Sequence, residues 1–320
     1  MSVGPRIGLF FVAAMAVSCL ASCRRTQELG PPKAVAVRDD GVLELNIASF
    51  NIRYENDGDT GERAWPSRLR STVRIIRELN PDVLGVQEAY HGQAADLWAS
   101  LPGYDFYGTG REDGKRAGEY AGIFFLRSRF HLDAADSGCF WLSGTPEIPG
   151  STTWGNTLSR MVTWVHLVDR ATSRGFYVFD THWDHRHQGS REEAALLIAR
   201  RIDGRKAAGD PVILVGDFNA IETNPAVRYL RGESVVLIGV SQTWSNSLLD
   251  TFTALHSGQE NRRTFHQWDG NRSGNFKLDH IFVTRTAKVL RSAIRFDTPP
   301  YASDHYAVSS TVTFPPPPVD

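Results

Sequence analysis

Between residues 42 and 54 apolar and polar side chains alternate. Leu43, Leu45, Ile47 and Ser49 fall on one face, and Asn46, Ala48 and Phe50 on the other. A period of two predicts a strand. Over residues 66–79 the spacing changes: Leu69, Val73, Ile76 and Leu79 recur amid Arg and Glu, which predicts an amphipathic helix opened by Pro66 and closed before Pro81. A second helix is predicted over 191–202, where Ala194, Leu197, Ile198 and Arg201 share a face. Short apolar runs at 83–86, 121–126, 161–168, 176–181, 212–215, 280–284 and 306–314 read as further strands. The chain is therefore α/β, with more strands than helices.

The same runs have polar ends. Asn51, Glu88, His182, Asp217 with Asn219, Asp279, and Asp304 with His305 each sit where a hydrophobic strand meets a loop. A strand end can deliver a carboxylate, amide or imidazole to a common rim without burying it unpaired. One such ending means little, but six in order suggest a site. Asp217 and Asn219 in Gly-Asp-Phe-Asn face the same way and offer hard oxygens. Asp beside His in Ser-Asp-His, residues 303–305, can orient an imidazole and raise its basicity.

Composition narrows the function classes. The 320 residues carry 35 Lys and Arg against 36 Asp and Glu, a formal net charge of -1. A strongly basic nucleic-acid binder is disfavoured, although a local basic stripe is not. The three cysteines, Cys19, Cys23 and Cys139, fit neither a disulfide scaffold nor a cysteine zinc site.

Residues 1–22 have the layout of a secretory signal: Arg6, an uncharged run over 7–22, and small residues at its end. Leu20-Ala21-Ser22-Cys23 resembles a bacterial lipobox, which implies lipidation at Cys23 and a membrane-anchored lipoprotein in the periplasm or at the cell surface. Residues 23–41 are expected to be a tether, 42–314 a single domain, and 315–320 a proline-rich tail.

Asn51 in Ser-Phe-Asn-Ile-Arg, Glu88 in Leu-Gly-Val-Gln-Glu, Thr181-His182, Gly216-Asp217-Phe218-Asn219, Leu278-Asp279-His280-Ile281 and Ser303-Asp304-His305 occur in this order. Together they resemble the endonuclease/exonuclease/phosphatase (DNase I-like) superfamily, over essentially residues 42–314. The segments around Tyr54, Gly110 and Phe140 look like a secreted bacterial branch near the deadenylase-like members. The resemblance implies a four-layer α-β-β-α sandwich of two mostly antiparallel sheets. It also implies hydrolysis of a phosphoester by an activated water with a divalent metal, Mg2+ or alternatively Mn2+.

Residue by residue, Glu88 matches the principal metal ligand, Asn51 an amide supporting metal or phosphate, and Asp304 a neighbouring metal or hydrogen-bonding ligand. Asp217 matches the carboxylate that activates water or binds a second metal, with Asn219 as its partner. His305 matches the phosphate-contacting histidine, Asp279 its paired carboxylate, and His182 a second phosphate-contacting position. Both histidines are expected to be protonated.

The substrate rests on the loops. Arg53, Arg68 and Arg160 lie near the motifs and are candidates for substrate phosphate, while Asp184, His185 and Arg191 form either a branch-specific pocket or a structural pairing. Arg111, Lys115, Arg116, Arg262, Arg263 and Arg272, beside Trp268, Phe265 and Tyr120, make either a nucleic-acid track or a solvated surface. The first expectation is a phosphodiesterase acting on short or single-stranded nucleic acid. The runner-up is a hydrolase of sugar, inositol or lipid-headgroup phosphates, and a non-catalytic binding module is a third class. A monomer is expected.

Overall fold

The computed structural model describes residue 1 and residues 41–316. The expected signal segment, Cys23 and nearly all of the tether lie outside the described residues, as do residues 317–320 of the tail. Among the described residues no helix is long and apolar enough to cross a membrane.

The first half of the chain contributes β1 (Leu43–Asn51), α1 (Trp65–Leu79), β2 (Val83–Ala89), α2 (His91–Ser100), β3 (Tyr104–Tyr107), β4 (Tyr120–Leu126), β5 (Phe130–Trp141) and β6 (Met161–Asp169). The second half adds β7 (Gly175–His182), α3 (Gln188–Asp203), β8 (Val212–Asp217), α4 (Pro225–Leu230), β9 (Val235–Leu237), β10 (Val240–Gln242) and β11 (Leu248–Asp250). It ends with α5 (Thr251–Leu255), β12 (Asp279–Thr284), β13 (Lys288–Arg295) and β14 (Ala307–Phe314).

Two six-stranded sheets result, one ordered β13-β14-β1-β2-β4-β3 and the other β11-β12-β8-β7-β6-β5. Each contains one parallel pair, β1 with β2 and β7 with β8, joined through α1 and α3 respectively. Every other pairing within the two sheets is antiparallel.

That topology places the site. Asn51, Glu88, His182 and Asp217 sit at or beside the C-terminal ends of the four parallel strands. Asp279 opens β12 directly opposite Asp217, and His305 lies just before β14, which runs back along β1. The six polar strand ends thus reach one rim.

Alternation sorts the core. Phe176 and Val178 of β7, with Ile213 and Val215 of β8, pack between the sheets with Leu45 and Ile47. Tyr177, Phe179, Val212 and Leu214 turn outward against Ala194, Leu197 and Ile198 of α3. Val73 and Ile76 of α1 and Leu97 of α2 cover the first sheet. The expected four-layer sandwich is present.

Directly beneath the rim the sheets approach closely. A Cβ added at Gly85 would lie 2.4 Å from Val215 Cγ2 and 2.8 Å from Asp180 Oδ1. Asp180 is fully buried and accepts from Gln87 Nε2 at 2.6 Å; Gln87 also donates to Ser49. Burial pushes the Asp180 carboxyl well above its ordinary value.

Two of the strands that periodicity misses have separate causes. The edge strand β13 shows most of its side chains to solvent, and β5 loses its alternation where its register breaks between Asp133 and Gly138.

Gly85→Ala should cost about 1–3 kcal/mol, the usual penalty for overpacking. Urea unfolding should show a lower midpoint with an unchanged slope. An unaltered midpoint would mean that the sheets can separate at this point without cost.

Candidate active site

At the end of β1 the Asn51 amide is fully buried. Its Nδ2 donates to Glu88 Oε1 and to Asp217 Oδ2, each at 2.9 Å, and lies 3.5 Å from His305 Nε2. Its Oδ1 accepts from the Arg53 amide at 3.0 Å. Asn51, expected as an amide supporting metal or phosphate, turns its nitrogen to the two carboxylates and bridges them.

Glu88 adopts φ 63° at the register shift in β2 between Gln87 and Ala89, and its second oxygen accepts from the Tyr54 amide. Glu88, His182 and Asp217 each supply a ligand atom within 4.8 Å of the others, as do Asp217, Asp279 and His305. Burial, then Asp279, raises the Asp217 carboxyl. A divalent cation would relieve this crowding of hard oxygens, so the residues present fit one. Asp304 belongs to neither group. It faces Arg53 at 3.7 Å, and burial, with Glu88 adding, lifts its carboxyl to about 6.

The two histidines diverge. His305 Nδ1 lies 2.9 Å from Asp279 Oδ2, and its Nε2 is 3.8 Å from Asp217. Burial opposes its charge, but Asp279 and Asp217 overcome that and raise it to about 10. His182 lies 3.6 Å from Asp217 and 3.5 Å from Glu119. Burial, with Arg160 adding, lowers it to about 3. The expectation of two protonated histidines therefore holds for His305 only.

Asn219 sits at φ 45° and donates from its backbone to Asp217 Oδ1, fixing that carboxylate; its Nδ2 is spent on the Trp183 carbonyl. Arg68 does not reach a substrate. Four of its five N–H groups go to the carbonyls of Arg63, Ile52, Ala302 and Arg53, and it is 1% exposed. It ties together the loops carrying Asn51 and His305. Asp184 accepts from the amides of Arg186 and His187, and Arg191 donates to the Asp184 carbonyl and to Gln188. These two brace a loop, so the structural pairing left open by the sequence is the one present. His185 is exposed, with Nδ1 3.1 Å from Arg160. Arg53 keeps part of its surface at the rim while pairing with Asp59.

Sequence reasoning overlooked Glu119. It pairs with Arg111 at 2.6 Å and faces Arg160 at 3.8 Å and His182 at 3.5 Å. Its signal was available, since it opens the apolar run of β4 as Asp279 opens β12. Arg160 is 3% exposed, and its Nε and Nη1 have no hydrogen-bond partner. With Arg111, Glu119 and His182 it lines a cavity of about 10 Å³, the space of a single water.

The endonuclease/exonuclease/phosphatase family model matches residues 48–305. The chain belongs to this family. It resembles the endonuclease/exonuclease/phosphatase of Bacteroides vulgatus at 30% identity and a TM-score of 0.75, covering 84% of this chain and 98% of that one. It resembles a mannosyl-6-phosphatase of Bacteroides thetaiotaomicron at 30% identity and a TM-score of 0.73, covering 84% and 99%. Nocturnin of Drosophila melanogaster is 24% identical over 84% of this chain and 46% of its own length. The chain spans less than half the length of the curated relatives it matches. Members of this family are phosphoester hydrolases, typically dependent on a divalent metal.

His305 should stay protonated through neutral pH in the metal-free protein, and Asp279→Asn should return it toward its ordinary range of about 6.5. Histidine NMR titration reads both. Because its folded value is raised, the stability His305 contributes is fully present below about pH 6.5 and fades as pH rises toward about 10. A His305 titration near 6.5 in the unmodified chain would contradict this.

Proposed function

We propose that this family member hydrolyses a small phosphomonoester of the sugar-phosphate class. The observation that carries the reading is the buried Arg160 guanidinium at the closed side of the site, whose Nε and Nη1 have no hydrogen-bond partner while Nη2 meets His185 Nδ1. Arg111 and Arg160 share the Glu119 carboxylate there, at 2.6 and 3.8 Å, so the closer pairing goes to Arg111 and Arg160 is held by weaker attraction to Glu119, Glu88 and Asp184. Burial, then Arg111, depresses Arg160, which an anionic phosphoryl oxygen would relieve. The likeness to a mannosyl-6-phosphatase points the same way.

The nucleic-acid reading that the sequence favoured loses its basic track. Arg262 pairs with Glu222, Arg111 with Glu119, and Arg272 donates to the Asp297 carbonyl. Trp268 is covered by Arg63 and Arg68. Lys115 and Arg116 remain exposed, and the Phe265 ring lies 4.8 Å from His305 at the rim, tilted by 39°, so a short single strand is the second reading.

Glu88 and Asp217, with His182 beside them, carry the atoms that would hold Mg2+ or Mn2+. When bound, the ion offsets charge on the phosphoryl group. Asp217, its basicity raised by burial and its orientation fixed by the Asn219 and Asn51 donors, takes a proton from the attacking water. The imidazolium of His305, held through Nδ1 by Asp279, presents Nε2–H to the phosphoryl oxygen or the departing one. Water oxygen bonds to phosphorus, the bond to the leaving oxygen breaks, and that oxygen takes the Nε2 proton of His305 and departs as an alcohol, while Asp217 holds the proton from water until it returns to His305. Arg160 anchors a non-bridging oxygen.

Mannose 6-phosphate with Mg2+ should release inorganic phosphate, and EDTA should abolish this. His305→Ala should lower kcat about 10²–10³-fold, the cost of one well-placed donor. Glu88→Gln should remove most activity, and Arg160→Met should raise KM for the monoester. Faster shortening of single-stranded RNA than phosphate release would favour the second reading.

Export and anchoring through Cys23 complete the proposal. Cys23→Ala should move the protein from the membrane fraction to the soluble one; unchanged fractionation would remove the anchor.

A further inference from the structure

A second group of ligand-bearing side chains lies away from the rim. Asp133, Asp136 and His166 each place a ligand atom within 4.8 Å of the other two. His166 is in β6, five residues beyond Met161 at the rim, so about 16 Å along the strand.

Acidic residues near a histidine are common, so the local geometry decides. His166 is 8% exposed, and its Nδ1 is buried without a hydrogen-bond partner. Its Nε2 lies 2.8 Å from Asp210 Oδ2. A carboxylate only accepts, so Nε2 carries the hydrogen, and in the neutral ring Nδ1 presents a lone pair. That lone pair points at Asp133 Oδ2, 3.5 Å away, and Asp136 Oδ2, 3.8 Å away. Both separations exceed a hydrogen bond. They match the edge of a tetrahedron, about 3.4 Å for metal–ligand bonds of roughly 2.1 Å.

The surroundings are built to hold these atoms. The register break in β5 sets residues 134–137 out of the ladder and brings Asp133 and Asp136 to the same side. Tyr177 stacks on the His166 ring at 4.4 Å and donates to Asp136 Oδ2 at 2.5 Å. Asp210 reaches His166 only because residue 175 is glycine: a Cβ there would lie 2.1 Å from the carboxylate and 2.6 Å from the ring. A carboxylate behind a ligating histidine is the usual support of a metal site. Lys206 donates to the Ala135 carbonyl and pairs with Asp136 through Oδ1 at 3.9 Å, leaving Oδ2 as the oxygen toward His166.

We propose that Asp133, Asp136 and His166 form a second metal site, distinct from the hydrolytic centre, that takes a divalent transition ion of the zinc class. One imidazole and two carboxylates suit zinc in a tetrahedral arrangement, with water as the fourth ligand. The ion would staple the β5 bulge to β6.

The full chain, loaded with Zn2+ and desalted, should lose one zinc equivalent per chain in both Asp133→Asn and His166→Gln, measured by mass spectrometry of total metal. Both should keep phosphate release unchanged, which separates this site from the hydrolytic one. Asp210→Asn should weaken zinc about 10–100-fold while keeping the stoichiometry at saturation. Asp133 is partly exposed, so its variant should fold. Retention of the full zinc count by Asp133→Asn would overturn the site, and would identify the cluster as an imidazolium ion pair.

Discussion

One neutral amide holds the two sheets' carboxylates together. Glu88 belongs to the first sheet and Asp217 to the second, and two carboxylates brought to one point in a buried site repel strongly. The Asn51 nitrogen donates to both, so they can approach without a charge between them. The remaining architecture serves that contact. Gly85 lets the sheets close beneath it, and Arg68 gathers the carbonyls of Ile52, Arg53 and Ala302, fixing the loops on either side. Ser303 donates to the Asn51 carbonyl and accepts from the His305 amide, carrying the same constraint to the imidazole.

How much of this was legible in the sequence follows from which interactions are local. The strands that carry the site read clearly because their side chains alternate or are buried on both faces. β5 and β13 do not, because a register break disrupts one and solvent bathes the other. The polar strand ends were equally legible, since a carboxylate after an aliphatic run has few places to go. Their partners were not. Arg68 lies beside the motifs in sequence, as a phosphate ligand would, yet its place on α1 puts it beneath the loops, where carbonyls and the rings of Trp65 and Trp268 meet it. Asn51 has two ends, and only the fold decides which faces the carboxylates. Glu119 went unnoticed because it precedes its strand and follows a glycine-rich loop that drew attention for its basic residues.

His182 and His305 show why residue type alone does not set charge. Both are buried. His305 is flanked by Asp279 and Asp217 and is held charged; His182 faces Arg160 and is held neutral.

The same placement explains how a chain with no basic excess handles phosphate. Its loop arginines are largely consumed by its own carboxylates and carbonyls, as at Glu222 and Asp297. In the interior, Arg160 keeps two guanidinium nitrogens without a hydrogen-bond partner beside the candidate site. A polymer backbone is gripped by a line of charges, each contributing a little and each weakened by salt. A single buried cation acts at one point, is poorly screened, and discriminates for a phosphoryl group that can come fully into the site. That favours a substrate ending at its phosphate over one continuing past it.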